Sequence, residues 1–135
     1  MAAAPVGPAG LSESEALAAF DRAGVAMVLT DPRLPDNPIV YVNDAFERTT
    51  GYGRAEALGR NCRFLQGPRT DRRALDKIRR ALKRWKSVVV EVVNYRKDGS
   101  EFWVELSIAP VADETGWYTH WISIQRDITD RKSVV

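Results

Sequence analysis

A chain of 135 residues with 44% hydrophobic and 28% charged residues has the material for one soluble globular domain, which excludes a disordered or fibrous protein. Its apolar runs fall far short of the ~20 residues of a membrane span, and residues 1–10 lack the basic-then-apolar order of a signal peptide, so a cytoplasmic protein without a membrane partner is expected. The net charge of +2 conceals an asymmetry: Arg60 to Lys86 carries eleven Lys/Arg against Asp71 and Asp76, leaving the rest acidic by about seven charges. No aromatic residues alternate with those basic positions, so a solvated helix face is expected rather than a nucleic-acid surface. The single cysteine, Cys62, excludes an internal disulfide, and with one histidine, His120, there is no zinc-ligand set and no metal site is expected.

Residues 1–11 read as a flexible leader and 12–23 as a cap helix, with Ser12 as N-cap, Glu15 completing a capping box and Gly24 stopping the helix after Asp21 or Arg22. Val25–Thr30 and Ile39–Asn43 are short strand-like runs joined by the turn-rich 31–38, a hairpin with a structured loop. Asp44–Thr50 is a short helix closed by Gly51, and Arg54–Leu58 is another brief turn. Thr70 is the predicted N-cap of a longer helix, with Ala74, Leu75, Ile78, Ala81, Leu82 and Trp85 recurring at three- and four-residue steps. From Val88 the period changes to two, giving three antiparallel strands over Val88–Arg96, Glu101–Ala109 and Trp117–Arg126, with turns at 97–100 and 113–116. Strands at both ends and helices between them imply an α+β domain over 24–129: a five-stranded antiparallel sheet with helices packed on one face. Residues 130–135 then begin a C-terminal linker or helix.

Alternation along the strands gives the sheet two partly apolar faces. With Asn94 inward, Val88, Val90 and Val92 share its side, while Val89, Val93, Tyr95, Trp103, Ile122 and Ile124 point outward. That outer face needs a cover, for which the candidates are the N-terminal helix, a C-terminal helix beyond Val135, or a second copy of the protein.

Two amides, Asn94 and Gln125, fall on inward strand positions, and two more, Asn61 and Gln66, flank Cys62. Amides offer donor and acceptor together, which suits the edge of a flat heterocycle with alternating N–H and C=O groups. Arg63, beside Cys62, and Arg79, on the shoulder of the basic helix, can converge on one anion. Ring-edge amides, phosphate-binding arginines and a nearby thiol together describe a flavin nucleotide site.

The stretch Gly59-Arg-Asn-Cys-Arg-Phe-Leu-Gln66 resembles the cysteine motif of the light-oxygen-voltage (LOV) photoreceptor domains, a branch of the PAS superfamily that binds flavin mononucleotide (FMN). Residues 30–38, Asn94-Tyr-Arg-Lys-Asp-Gly99, Phe102-Trp103 and Gln125-Arg-Asp-Ile-Thr129 look like LOV segments in the same order, so the resemblance covers roughly 25–129. It implies a blue-light sensor in which the Cys62 sulfur adds reversibly to the flavin C4a carbon, and not an enzyme. By the resemblance, Asn61 and Gln66 contact the ribityl chain or ring, Arg63 and Arg79 hold the phosphate, Asn94 bonds the pyrimidine edge and Gln125 sits by O4 and N5. Val28, Thr30, Phe46, Leu65, Leu82, Ile108 and Trp121 wall the ring, and Asn37 belongs to a turn rather than to the cofactor site. Signalling is expected through the last strand and the terminal helices, to a homodimer partner across the outer sheet face and N-terminal helix, or to an effector such as a histidine kinase outside these residues.

Two positions depart from the family pattern. Val104 stands where an asparagine usually gives the pyrimidine edge a second partner, and Trp121 stands where phenylalanine is common. The short connection from Gln66 to Thr70 favours FMN over FAD. The alternatives fit less well. A light-independent flavin redox sensor does not need Cys62 in its motif, His120 lies on the wrong strand face for a haem ligand, and an enzyme with a Cys62 nucleophile lacks a histidine base beside it. A bare protein-interaction PAS module does not need the amide and arginine set.

Overall fold

A computed structural model describes residues 13–133 of the chain. The elements run α1 (Glu13–Arg22), β1 (Ala26–Thr30), β2 (Ile39–Val42), α2 (Asp44–Thr50), α3 (Arg54–Ala57), a 3₁₀ turn (Cys62–Leu65), α4 (Arg72–Lys83), β3 (Val88–Tyr95), β4 (Glu101–Ala112), β5 (Tyr118–Asp127) and α5 (Thr129–Ser133). The strands form one antiparallel sheet in the order β2-β1-β5-β4-β3, the expected α+β architecture. The last strand in sequence is therefore the middle strand in space. Its Gln125 lies opposite Ala26 of β1 and Leu106 of β4, and its Ser123 lies opposite Val28 and Ile108.

The inner face carries two apolar clusters. One gathers Val28, Val42, Ala45, Phe46, Ala57 and Leu65 where α2 and α3 lie over the β1–β2 hairpin. The other gathers Ala74 of α4 with Val88, Val90, Val92, Phe102 and Val104 of β3 and β4. On β3 the side chains of Val88, Val90 and Val92 are buried while Val89 and Glu91 are exposed, the alternation of a sheet with one core face. Val93, read as outward-facing, is nevertheless only 4% exposed. It pairs with Trp103, and helix α5 is tied to that residue. The Trp103 N–H donates to Thr129 Oγ1 at 3.0 Å, Ile128 N–H donates to the Trp103 carbonyl at 2.9 Å, and Lys132 Nζ lies 4.9 Å from the indole centroid.

Local capping departs from the sequence reading at α4. Asp71, not Thr70, is the N-cap and accepts from Arg73 N–H. Thr70 is turned inward, where its hydroxyl donates to the Val93 carbonyl at 2.6 Å and accepts from Gly67 N–H at 3.0 Å. Trp85 lies beyond the helix end at φ 54, and β4 runs three residues further than Ala109. The expected Ser12 cap falls outside the described residues.

Asn43, at the end of the predicted β2 run, joins the N-terminal helix to the sheet. Fully buried, it accepts on Oδ1 from Met27 N–H (2.9 Å) and Phe46 N–H (3.1 Å), and donates from Nδ2 to the carbonyls of Phe20 (3.0 Å) and Val25 (2.9 Å). Every hydrogen-bonding group of the amide is used, so α1, β1 and the start of α2 depend on one side chain. Replacing Asn43 with Ala orphans buried backbone groups and is expected to lower stability by about 1–3 kcal/mol. Urea unfolding checks this, and an unchanged midpoint would contradict the role.

Candidate functional site

The Cys62 segment is held from several sides. Gly59 N–H donates to the Ile39 carbonyl and Ile39 N–H to the Arg60 carbonyl, both at 2.8 Å, so the segment is pinned to the start of β2. Asn61 caps the 3₁₀ turn by accepting from Arg63 N–H at 2.9 Å, while its Nδ2 donates to the Asp36 carbonyl at 2.7 Å. Leu65 is buried in the core, and the Phe64 ring meets Tyr52 edge-on at 4.9 Å under the Arg60 guanidinium. A Cβ on Gly67 would stand 2.2 Å from the Tyr95 ring. That ring cannot retreat easily, because its hydroxyl accepts from Arg69 N–H and donates to Glu101. The glycine is thus required for the chain to leave the motif toward α4.

A cavity of about 230 Å³ opens between this segment, α4 and the sheet. The structure brings Asn61, Cys62, Arg63, Leu65 and Gln66 to its wall from the 3₁₀ turn and its flanks, and Arg79 and Leu82 from α4. From the strands come Thr30, Asn94, Ile108, Trp121 and Gln125. Three of the expected cofactor-site residues, Val28, Phe46 and Val104, are not part of it. Val28 and Phe46 are both fully buried in the core cluster of α2, α3 and the β1–β2 hairpin. Val104 is sealed into the cluster beneath α4, opposite Val92 on β3.

Five further residues line the cavity: Asn37, Leu75, Ile78, Leu106 and Ser123. Four were legible. Ser123 and Leu106 share the inward parity of Gln125 and Ile108, and Leu75 and Ile78 share the apolar face of α4 with Leu82. Asn37 was assigned to a turn. Its backbone is indeed in the left-handed region at φ 49, yet its side chain also reaches the wall.

The wall combines apolar surface with polar atoms that have no protein partner. Thr30 Oγ1, Asn37 Oδ1 and Gln125 Oε1 are buried without a hydrogen bond. Among the described residues only one other buried side-chain nitrogen or oxygen, Arg54 Nε, shares that condition. Buried polar atoms are nearly always paired, and each orphan costs about 1–3 kcal/mol. Three on one cavity mark a site shaped for a ligand with hydrogen-bonding groups. At the rim, Arg63 pairs with Asp36 and Arg79 with Asp76 at 2.7 Å, yet both guanidiniums are more than half exposed and retain N–H groups for an anion.

Cys62 faces the cavity as a neutral thiol. Burial pushes its pKa from 9.0 up to about 12, and only a backbone hydrogen bond opposes the shift. The arginines of the rim do not offset the desolvation, so the thiol is not poised as a thiolate.

A solved light-oxygen-voltage domain studied with a flavin analogue is 43% identical to this chain, with a TM-score of 0.81 over 87% of each chain. A family profile described as PAS domain matches residues 24–130. This chain is a light-oxygen-voltage domain of the PAS family. The LOV domain of the blue-light activated histidine kinase of Erythrobacter litoralis is 38% identical, with a TM-score of 0.76 over 80% of this chain and 99% of that one. The blue-light-activated histidine kinase of Brucella anthropi is 46% identical over 112 residues, which is 83% of this LOV domain but 23% of the kinase. The chain thus spans less than a quarter of that curated relative.

The raised pKa has a definite sign. The folded state keeps the Cys62 proton above the unfolded value of 9.0, so the contribution of this group to stability is complete below that pH and is lost as pH rises through about 12. Alkylation of Cys62 by iodoacetamide is therefore expected to stay slow at about pH 8, where the urea-unfolded protein reacts readily. Equal rates for folded and unfolded protein would show a thiolate instead.

Proposed function

We propose that this LOV domain binds FMN in the cavity and senses blue light through Cys62. The observation that carries this reading is the convergence of three unpartnered buried polar atoms and a neutral thiol on one cavity with arginines at its rim. Asn94 and Gln125 supply amides for the edge of a flavin ring, Asn61, Gln66 and Asn37 supply amides for the ribityl chain or ring, and Arg63 and Arg79 supply N–H donors for the phosphate. Thr30, Leu65, Leu82, Ile108 and Trp121 supply the rest of the wall. Bound FMN supplies blue-light absorption and an excited-state C4a carbon able to take the Cys62 sulfur.

The residues of the chain do the rest. The Asn61 cap and the Leu65 anchor fix the thiol in place, so positioning rather than acidity prepares it. Val104 offers no amide, and the pyrimidine-edge contact rests on Asn94. Gln125 reads the chemistry: its amide can donate or accept, and it turns when the hydrogen-bonding sense of its partner inverts. Two residues on, Asp127 accepts from Thr129 N–H at 2.9 Å and from its hydroxyl at 2.6 Å, so a shift in β5 acts directly on α5. The half-buried outer face with Ile122 and Ile124, together with α1, fits a homodimer partner, and an effector such as a histidine kinase fits a position beyond these residues. No helix among the described residues is long and apolar enough to cross a membrane, which fits a cytoplasmic setting.

Protein purified in darkness with FMN is expected to be yellow and to bleach reversibly in blue light, and Cys62→Ala is expected to remain yellow without bleaching. Colour without Cys62-dependent bleaching would favour light-independent flavin redox sensing, and failure to take up FMN would contradict both. Gln125→Leu is expected to bleach as the wild type does while losing the light-induced change in hydrogen exchange at 128–133. An unaltered exchange response in that variant would place the signal elsewhere.

A further inference from the structure

One wall residue continues outward into a feature that the photosensory reading does not use. The Trp121 indole, 4% exposed, stacks on Trp85 with centroids 5.1 Å apart and planes 9° from parallel. Trp85 in turn stacks on Tyr118 at 5.1 Å and 5°. Exposure rises along the series to 36% at Trp85 and 43% at Tyr118. Three oxidisable rings thus run from the cavity wall to solvent. Trp85 reaches its place in this stack with its backbone at φ 54, a region that a bulky L-residue enters only when its surroundings hold it there.

We propose that Trp121, Trp85 and Tyr118 form an electron relay that reduces the excited flavin by one electron in competition with Cys62. The inference rests on FMN occupying the cavity. Excited flavin is a one-electron oxidant, and indole and phenol are among the side chains it oxidises most readily. Trp121 gives up one electron to the flavin and becomes a radical cation. Trp85 fills that hole, and Tyr118 fills the next. The Tyr118 phenol then loses its proton to solvent and becomes a neutral radical, while the reduced flavin takes a proton from solvent. The sum is a hydrogen atom moved from Tyr118 to FMN. In darkness the two radicals recombine, whereas a small-molecule thiol that donates a hydrogen atom to Tyr118 leaves the one-electron-reduced flavin in place.

Phenylalanine at 121 would fill the wall without donating, so the departure from the family pattern at this position has a chemical consequence. Each photon spent on the relay is withheld from Cys62. The fold brings together a residue just past the end of α4 and two from β5, and only their inner member faces the cavity. A ring stack can also serve as a clamp holding the end of α4 against β5. Tyr118→Phe separates the two roles, because it keeps the ring and removes the hydroxyl.

The test uses FMN-loaded Cys62→Ala protein, in which the relay has no competitor, illuminated with blue light and read by electron paramagnetic resonance. A tyrosyl signal together with a flavin radical is expected. Adding Tyr118→Phe is expected to abolish the tyrosyl signal and cut the flavin radical that persists with added thiol severalfold, at unchanged unfolding midpoint. Trp121→Phe in the otherwise unaltered protein is expected to raise flavin fluorescence and the yield of Cys62-dependent bleaching severalfold. If FMN binds but neither substitution changes radical yield or fluorescence, the relay is overturned while the photosensory reading stands. If FMN does not bind, both fall together.

Discussion

The pairing of strand β5 on both sides is the constraint on which the rest of the molecule depends. Held between β1 and β4 its register is fixed, because a one-residue slip would exchange its two faces along its whole length. The fixed register sends Trp121, Ser123 and Gln125 to the cavity and leaves Ile122 and Ile124 on the opposite face. It also delivers Asp127 to the point where it caps the turn into α5. The inner wall, the outer sheet face and the terminal helix therefore share one element.

Placing polar groups on an apolar wall is unfavourable unless something pairs with them. Thr30, Asn37 and Gln125 each present a buried oxygen without a protein partner, whereas every group of the Asn43 amide is engaged within the fold. The contrast separates an amide that builds the structure from oxygens left without a protein partner. A ligand that satisfies the orphaned oxygens also stabilises the folded state, since it binds there and not to the unfolded chain. Cys62 follows the same logic: its desolvation keeps the thiol neutral, so its own ionisation does not prepare it to react.

Much of this was legible in the chain. The sheet followed from the two-residue period of β3, β4 and β5, and Gly51 and Gly99 marked the turns at which the helical and strand segments end. The inward parity of Asn94 and Gln125 brought them to the same cavity as Cys62. What sequence periodicity does not encode is which element lies over a given inward residue. Val28 and Val104 share the inward face with their neighbours, but α2 and α4 cover them, and that depends on where the helices dock. Thr70 has the chemistry of a helix cap, yet the nearby Val93 carbonyl draws its hydroxyl inward and leaves Asp71 to cap α4. Trp85 fits the helical period of α4, but the helix ends before it, and its own left-handed backbone accompanies a stack on Trp121 and Tyr118, more than thirty positions away in sequence.

On the proposed reading Cys62 is a neutral thiol beside bound FMN until light adds its sulfur to the ring. Infrared difference spectroscopy of the FMN-loaded protein addresses it at the bond concerned. An S–H stretching band is expected in darkness that disappears under blue light and returns in the dark with the same kinetics as the flavin absorbance. An S–H band that persists under illumination while the flavin bleaches, or no S–H band in the dark state, would contradict it.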